Sequence, residues 1–291
     1  MSYLKIIKKG LYTSIQDAGR YGHALYGIPQ SGAMDAYSAR LANRLVKNPE
    51  EAALIECTFI PPTIEFFKNY IISLTGADMK WHIGDFAVPR FTSLYVRKGS
   101  ILRGSSAASG VRAYIAIQGE IDVEPVLGSK SYYSGMAIGG YQGRLIAKGD
   151  QIKMKSKRSK WAFDYIADEE RPNLMSEKLI PITRGPEWHF LNQESKTSFI
   201  SGQWTISSQS DRMAATLLNH KPDLKVDLKM PSVPVFPGVI QTPPDGKPIV
   251  VLNDGQTTGG YPRAAIIPTN SLSIFNQIRP SESFRFFFVN S

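Results

Sequence analysis

The chain has 291 residues, long for one domain and comfortable for two. Its 42% hydrophobic and 20% charged content supplies a core and a solvated surface, and no apolar run reaches the roughly 18 residues a bilayer-spanning helix needs. The net charge of +9 raises nucleic acid as a partner. The one dense basic run, residues 153–160, has no zinc-finger, RNA-binding or helix-turn-helix pattern with it, so it reads as a solvated rim.

Met1 to Lys5 lacks a signal-peptide layout, so a cytoplasmic location is expected. Tyr3–Ile7 reads as the first strand, followed by the turn Ser14-Ile15-Gln16-Asp17-Ala18-Gly19-Arg20. Asp17 and Arg20 on that turn can pair or orient a ligand carboxylate. The stretch Gly27 to Asp35 leads into the clearest helix, Met34 to Val46, with Met34, Ala39, Ala42, Leu45 and Val46 on one face. Ser31 and Asp35 fall at its start, where free N–H groups can hold an anion; plain capping is the alternative. Asn43, an amide among apolar neighbours, either satisfies buried backbone or faces a pocket. Cys57 is the only cysteine, which excludes an internal disulfide; Glu56 and Thr58 offer it no activation, so it reads as a structural thiol.

Thr63–Phe67, Ile71–Leu74, Ser93–Val96 and Arg112–Ile117 are further strands, rich in β-branched or aromatic residues and bounded by turn formers. Asp78 closes a turn. Between about 153 and 178 charge rises and strand patterning fades, although Trp161, Phe163 and Tyr165 alternate as in a strand. The expected organisation is a domain at 1–155 with one helix, a junction at 156–178 and a domain at 179–291. A second short helix is expected at Asp211 to Leu218. Ile249–Leu252 reads as a buried strand joining two loops. Gln241 and Thr242 precede a double-proline turn, and Asn253 to Gly260 gathers amides, hydroxyls, a carboxylate and glycines that let backbone N–H groups approach a ligand.

Metal and nucleophile templates find little. The four histidines show no paired spacing and no cysteine partner, so no metal site is expected, and no G-x-S-x-G elbow occurs. Acid–base or nucleotide-assisted chemistry, positioned by arginines and loop N–H groups, is the more economical expectation.

The wording of residues 237–262, PGVIQTPPDGKPIVVLNDGQTTGGYP, resembles the C-terminal signature of the allophanate hydrolase subunit 2 family. So do QDAGR, GIPQSGAMD, LANRLV, LTGAD, RAYIAIQGEIDVEPVLGSKS and GYQGRLIAKGD, in the expected order along nearly the whole chain. The chain departs from that pattern at several places. Glu120 replaces a glycine, Lys130 and Tyr132 replace Arg and Thr, Glu187 stands where a histidine is usual, and Ala214 replaces a glycine. The family includes the carboxyltransferase-like half of urea carboxylase, the C component of bacterial ATP-dependent 5-oxoprolinase and an antagonist of a kinase inhibitor.

The resemblance implies a mainly β fold of tandem cyclophilin-like β-barrel domains with a few short helices. It implies the C component of a 5-oxoprolinase, a hydrolase converting 5-oxo-L-proline to L-glutamate with ATP and inactive alone. ATP would be shared with a B-type subunit of the first-subunit family and a lactam-utilisation A subunit. Any biotin would arrive on another protein, since no Ala-Met-Lys element occurs here. A carboxyltransferase acting on urea or a related amide, and a non-enzymatic regulator, are the alternatives. Arg144, Arg212 and Asp254 are the catalytic candidates. Asp17, Arg20, Ser31, Asp35, Asn43, Asp211, Gln241, Thr242, Gly255, Gln256, Thr257, Thr258, Gly259 and Gly260 are the candidate binding residues.

Overall fold

Short β-branched and aromatic runs punctuated by glycine and proline become strands throughout the computed structural model, which describes residues 3–155, 162–174, 178–219, 224, 228–280 and 282–289. The chain forms two units, one of Met1–Arg20 with Ser31–Leu174, the other of Tyr21–Gln30 with Met175–Ser291. Within the expected junction, residues 156–161 and 175–177, Trp161 among them, lie outside the described residues. Residues 162–174 pack with the first unit, where Ile166 joins Leu41, Leu45 and Phe91 in a buried cluster.

In the first unit the strands are β1 (Tyr3–Lys8), β2 (Tyr12–Gln16), β3 (Leu54–Thr58), β4 (Thr63–Phe66), β5 (Tyr70–Asp78), β6 (His82–Ile83) and β7 (Phe86–Ala87). They continue with β8 (Ser93–Val96), β9 (Ile101–Arg103), β10 (Ser109–Ile117), β11 (Glu120–Ile121) and β12 (Gln151–Lys155); the helix α1 is Ala36–Leu45. They build a seven-stranded sheet, β11-β12-β1-β4-β9-β6-β7, and a five-stranded sheet, β2-β3-β10-β5-β8. Alternation in β1 buries Leu4 and Ile6 against Ile15, Ile55, Phe66, Ile115 and Ile152 from both sheets. The five-stranded sheet is covered on its other face as well. There Ala39, Ala42 and Val46 of the α1 region pack on Leu54, Ile71, Tyr114 and Ala116. Cover on both faces explains why β10 is buried at every position and reads as a run rather than an alternation.

The second unit holds β13 (Lys178–Arg184), α2 (Gln193–Ser201), β14 (Trp204–Ile206), β15 (Ala214–Asn219), β16 (Val233–Pro234), β17 (Val239–Gln241) and β18 (Ile249–Val251). It ends with β19 (Thr258–Gly259), β20 (Arg263–Ile266), α3 (Thr269–Phe275) and β21 (Ser283–Phe288). Seven strands close a barrel in the order β13-β20-β17-β18-β15-β14-β21, and β16 pairs with β19 in a separate ribbon. Closure removes exposed strand edges from the barrel. Phe284 and Phe286 of β21 pack against Phe199, Trp204 and Phe275, an aromatic filling supplied by the strands β14 and β21 and the helices α2 and α3.

The mainly β fold with three short helices agrees with expectation, as does α1, whose cap Asp35 accepts a hydrogen bond from Ser38 N. The helix expected at 211–218 is instead the strand β15. The Asp211 carboxylate accepts from Met213 N and Ala214 N, turning the chain into a strand that pairs with β14 on one side and β18 on the other. Ladder bonds on both sides outweigh the helix preference of Ala and Leu. The actual helices α2 and α3 carried no clear periodic signal. The first is rich in Ser and Thr and capped by Asn192, and the second is only seven residues long.

Candidate functional site

In the second unit the loop after β18 folds back against the end of β17. Gln241 is buried, and its amide donates to Tyr261 O at 3.3 Å while Gln256 Nε2 reaches Gln241 Oε1 at 3.5 Å. Thr242, also buried, donates to Pro262 O at 3.2 Å. A Cβ on Gly259 would lie 2.5 Å from Gln241 Nε2 and 3.0 Å from Gln256 Nε2, so a side chain there would have to displace those two amides. Gly255 is fixed similarly, since a Cβ there would meet Met213 O at 2.7 Å. The side chains of Gln256 and Thr258 remain exposed, with Thr257 partly so and Gly260 at the surface. The loop therefore presents neutral amide and hydroxyl groups over a glycine-lined backbone.

Its charged residues are engaged within the unit. Arg212 Nε donates to Asp254 Oδ2 at 2.7 Å and Nη2 to Oδ1 at 3.2 Å, and Asp254 N donates to Arg212 O at 3.0 Å. Both side chains are within 5% of full burial, so two of the three catalytic candidates form one buried ion pair that anchors the loop. Sequence reasoning missed a second anchor. Glu187, standing where the family pattern has histidine, accepts from Arg263 N, Nε and Nη2 at 2.9–3.0 Å. Arg263 Nη1 also donates to Pro234 O at 3.1 Å, and Pro234 pairs with Thr258. The guanidinium hydrogen bond holds the Glu187 carboxyl below its usual range. The unusual Glu187 was the only signal in the sequence; nothing marked Arg263. His189 is exposed and lies against Phe190, with ring centroids 4.0 Å apart.

In the first unit the signature residues serve the backbone. The Asp17 carboxylate accepts from Ser129 Oγ, Ser131 Oγ, Gly19 N and Lys130 N, binding the first turn to the 129–131 segment. Buried Arg20 donates to Val126 O and to Ser131 O at 2.8 Å. Asn43 donates to Glu50 O and Ala52 O, the backbone-satisfying alternative. Arg144, the third catalytic candidate, grips Asp150 through two 2.7 Å bonds and lies over the Tyr141 ring.

The N–H groups leading into α1 are occupied from inside. Met34 N donates to Glu56 Oε2 at 2.8 Å and Asp35 N to Tyr114 Oη at 2.7 Å, with Ser31 buried just before them at φ 54°. Tyr114 donates in turn to Glu56, and Arg112 stands 3.8 Å from that carboxylate while donating to Thr58. Burial, together with the nearby Glu56 and Asp35 carboxylates, pushes the Tyr114 hydroxyl well above its usual pKa and keeps it a neutral donor. Glu56 thus holds the backbone just before α1, while Asp35 caps the helix through Ser38 N, the plain-capping alternative. Sequence reasoning missed that network, whose only trace is polar residues set within two apolar strands. Among the described residues no group of three His, Cys, Asp or Glu could hold a metal ion.

A family model described as "Carboxyltransferase domain, subdomain A and B" matches residues 26–288. The chain is 39% identical to the C component of the 5-oxoprolinase of Escherichia coli (strain K12), over 91% of this chain and 84% of that protein. It is 31% identical to urea amidolyase of Saccharomyces cerevisiae over 97% of this chain, which corresponds to 16% of that much longer protein. The crystal structure of the K. lactis urea amidolyase superposes with a TM-score of 0.92 at 25% identity, covering 99% of this chain and 19% of that one. The signature loops, the barrel that carries them and these matches agree, and the chain belongs to the carboxyltransferase domain, subdomain A and B, family.

Proposed function

We propose that the chain is the C component of a heteromeric ATP-dependent 5-oxoprolinase, opening 5-oxo-L-proline to L-glutamate. The observation that carries this reading is the 39% identity to the E. coli C component, which spans most of both chains. The exposed groups of the 256–260 loop support it. Gln256 and Thr258 are neutral donors and acceptors, suited to the N–H and C=O of a lactam rather than to a triphosphate. Arg144, Arg212 and Arg263 are each bound to a carboxylate of this chain, and in this reading ATP is shared with the B-type and A subunits.

In this reading ATP phosphorylates the lactam carbonyl oxygen and ADP departs. Water then adds to the activated carbon, the C–N bond opens to a glutamyl phosphate, and a second water releases glutamate and phosphate. The loop orients the amide, and the Arg212–Asp254 pair keeps the loop in place. The chain acts only with its partners and carries no biotin. Likeness to urea amidolyases supports a second reading, carboxyl transfer to urea, whose N–H and C=O groups the same loop could hold.

Reconstitution separates the two. Purified chain with B-type and A subunits should form glutamate from 5-oxoproline only when ATP and all three proteins are present. Turnover without this chain, or urea carboxylation from carboxybiotin in place of lactam opening, would overturn the reading.

A further inference from the structure

A cavity of about 580 Å³ opens in the first unit, and segments that carry the family resemblance line it. Asp17 comes from the first turn, Glu120 and Lys130 from the 112–131 stretch; Asn48 and Glu51 of the loop after α1 and Lys155 of β12 complete it. Glu120 and Lys130, two residues that depart from the family pattern, form an ion pair in its lining.

The lining carries charges of both signs. The Lys130 side chain is only 15% exposed, and its ammonium donates to Glu120 and to Ile121 O at 2.9 Å, which engages two of its three protons. Lys155 Nζ lies 3.1 Å from Asp122. Asp17 is saturated by the donors described above and belongs to the wall. Glu51 is exposed and pairs with no other described residue. Phosphate would face Glu120, Glu51 and Asp17; a simple cation would face two ammonium groups. A molecule with a carboxylate and an ammonium a few ångströms apart meets a counter-charge at each end, and the volume suits a small metabolite.

We propose that this cavity binds a small α-amino acid, its carboxylate on Lys130 and Lys155 and its ammonium on Glu120 and Glu51. The probe, L-glutamate, is also the product of the proposed reaction, but the same counter-charges serve any small α-amino acid, so failure of binding here leaves lactam turnover by the complex standing. Isothermal titration calorimetry of the whole purified chain tests it, with L-glutamate as probe and N-acetyl-L-glutamate and inorganic phosphate as controls. L-Glutamate should bind with a Kd below about 1 mM, and both controls at least about tenfold more weakly. Glu51→Gln alters an exposed group and leaves folding intact, while Lys130→Met removes the buried ammonium. Each should weaken L-glutamate at least about fivefold in protein shown to be folded by circular dichroism. Absence of heat up to about 10 mM, either control binding as tightly as L-glutamate, or full affinity in Glu51→Gln would overturn the proposal.

Discussion

The Arg212–Asp254 pair is the sharpest place to separate an anchoring role from a catalytic one. Asp254 is fully buried and Arg212 nearly so, and two side-chain bonds plus a backbone bond from Asp254 to Arg212 join them. Replacing one partner leaves an uncompensated charge out of water. Arg212→Met and Asp254→Asn should therefore each destabilise the protein by about 3–5 kcal/mol, with the neutral asparagine toward the lower end. Replacing both by apolar residues, Arg212→Met with Asp254→Leu, should recover most of that loss, because no buried charge is stranded. Urea unfolding followed by tryptophan fluorescence measures all three; Trp188 and Trp204 both lie in the same unit. If the two single variants unfold within about 0.5 kcal/mol of the parent, the pair is not an anchor. If they also lose turnover while folded, the arginine and carboxylate act on substrate.

Four further outcomes follow from the structure. Gly259→Val forces a side chain into the Gln241 amide and should lower stability by about 1–3 kcal/mol while abolishing turnover of the reconstituted complex. Exposed Thr258→Val should change stability by less than about 0.5 kcal/mol yet reduce the same turnover, and full activity in Thr258→Val would remove the loop from the site. Arg263 depresses the Glu187 carboxyl in the folded state, so the pair stabilises the protein above the unfolded pKa near 4.5, and that contribution is lost as pH falls through the depressed folded value. Glu187→Gln should accordingly flatten the acid limb of the stability–pH curve, and an unchanged limb would show that the pair adds nothing. Cys57 is fully buried, and burial pushes its thiol well up, so it should react with a thiol reagent only after urea unfolds the protein.

The sequence by itself determined what depends on local pattern and on wording. The β-branched and aromatic run Tyr3 to Ile7 marked the first strand, and the apolar face with Asp35 before it marked α1. Turn residues around 243–246 and glycines at 255–260 located the loop that folds over Gln241. What remained open was decided by partners distant along the chain. Whether residues 214–219 became helix or strand depended on β14 and β18, which offered ladder bonds on both sides. Whether Arg144, Arg212 and Asp254 stood ready for a ligand depended on which opposite charge folding brought near, and Arg212 found its carboxylate 42 residues away. The same holds for Glu56, which lies far from Met34 and Tyr114 in sequence yet accepts from Met34 N just before α1 and from the Tyr114 hydroxyl. A charge is legible in one dimension, but its partner is chosen by burial, because leaving water demands a counter-charge that only the closed fold supplies.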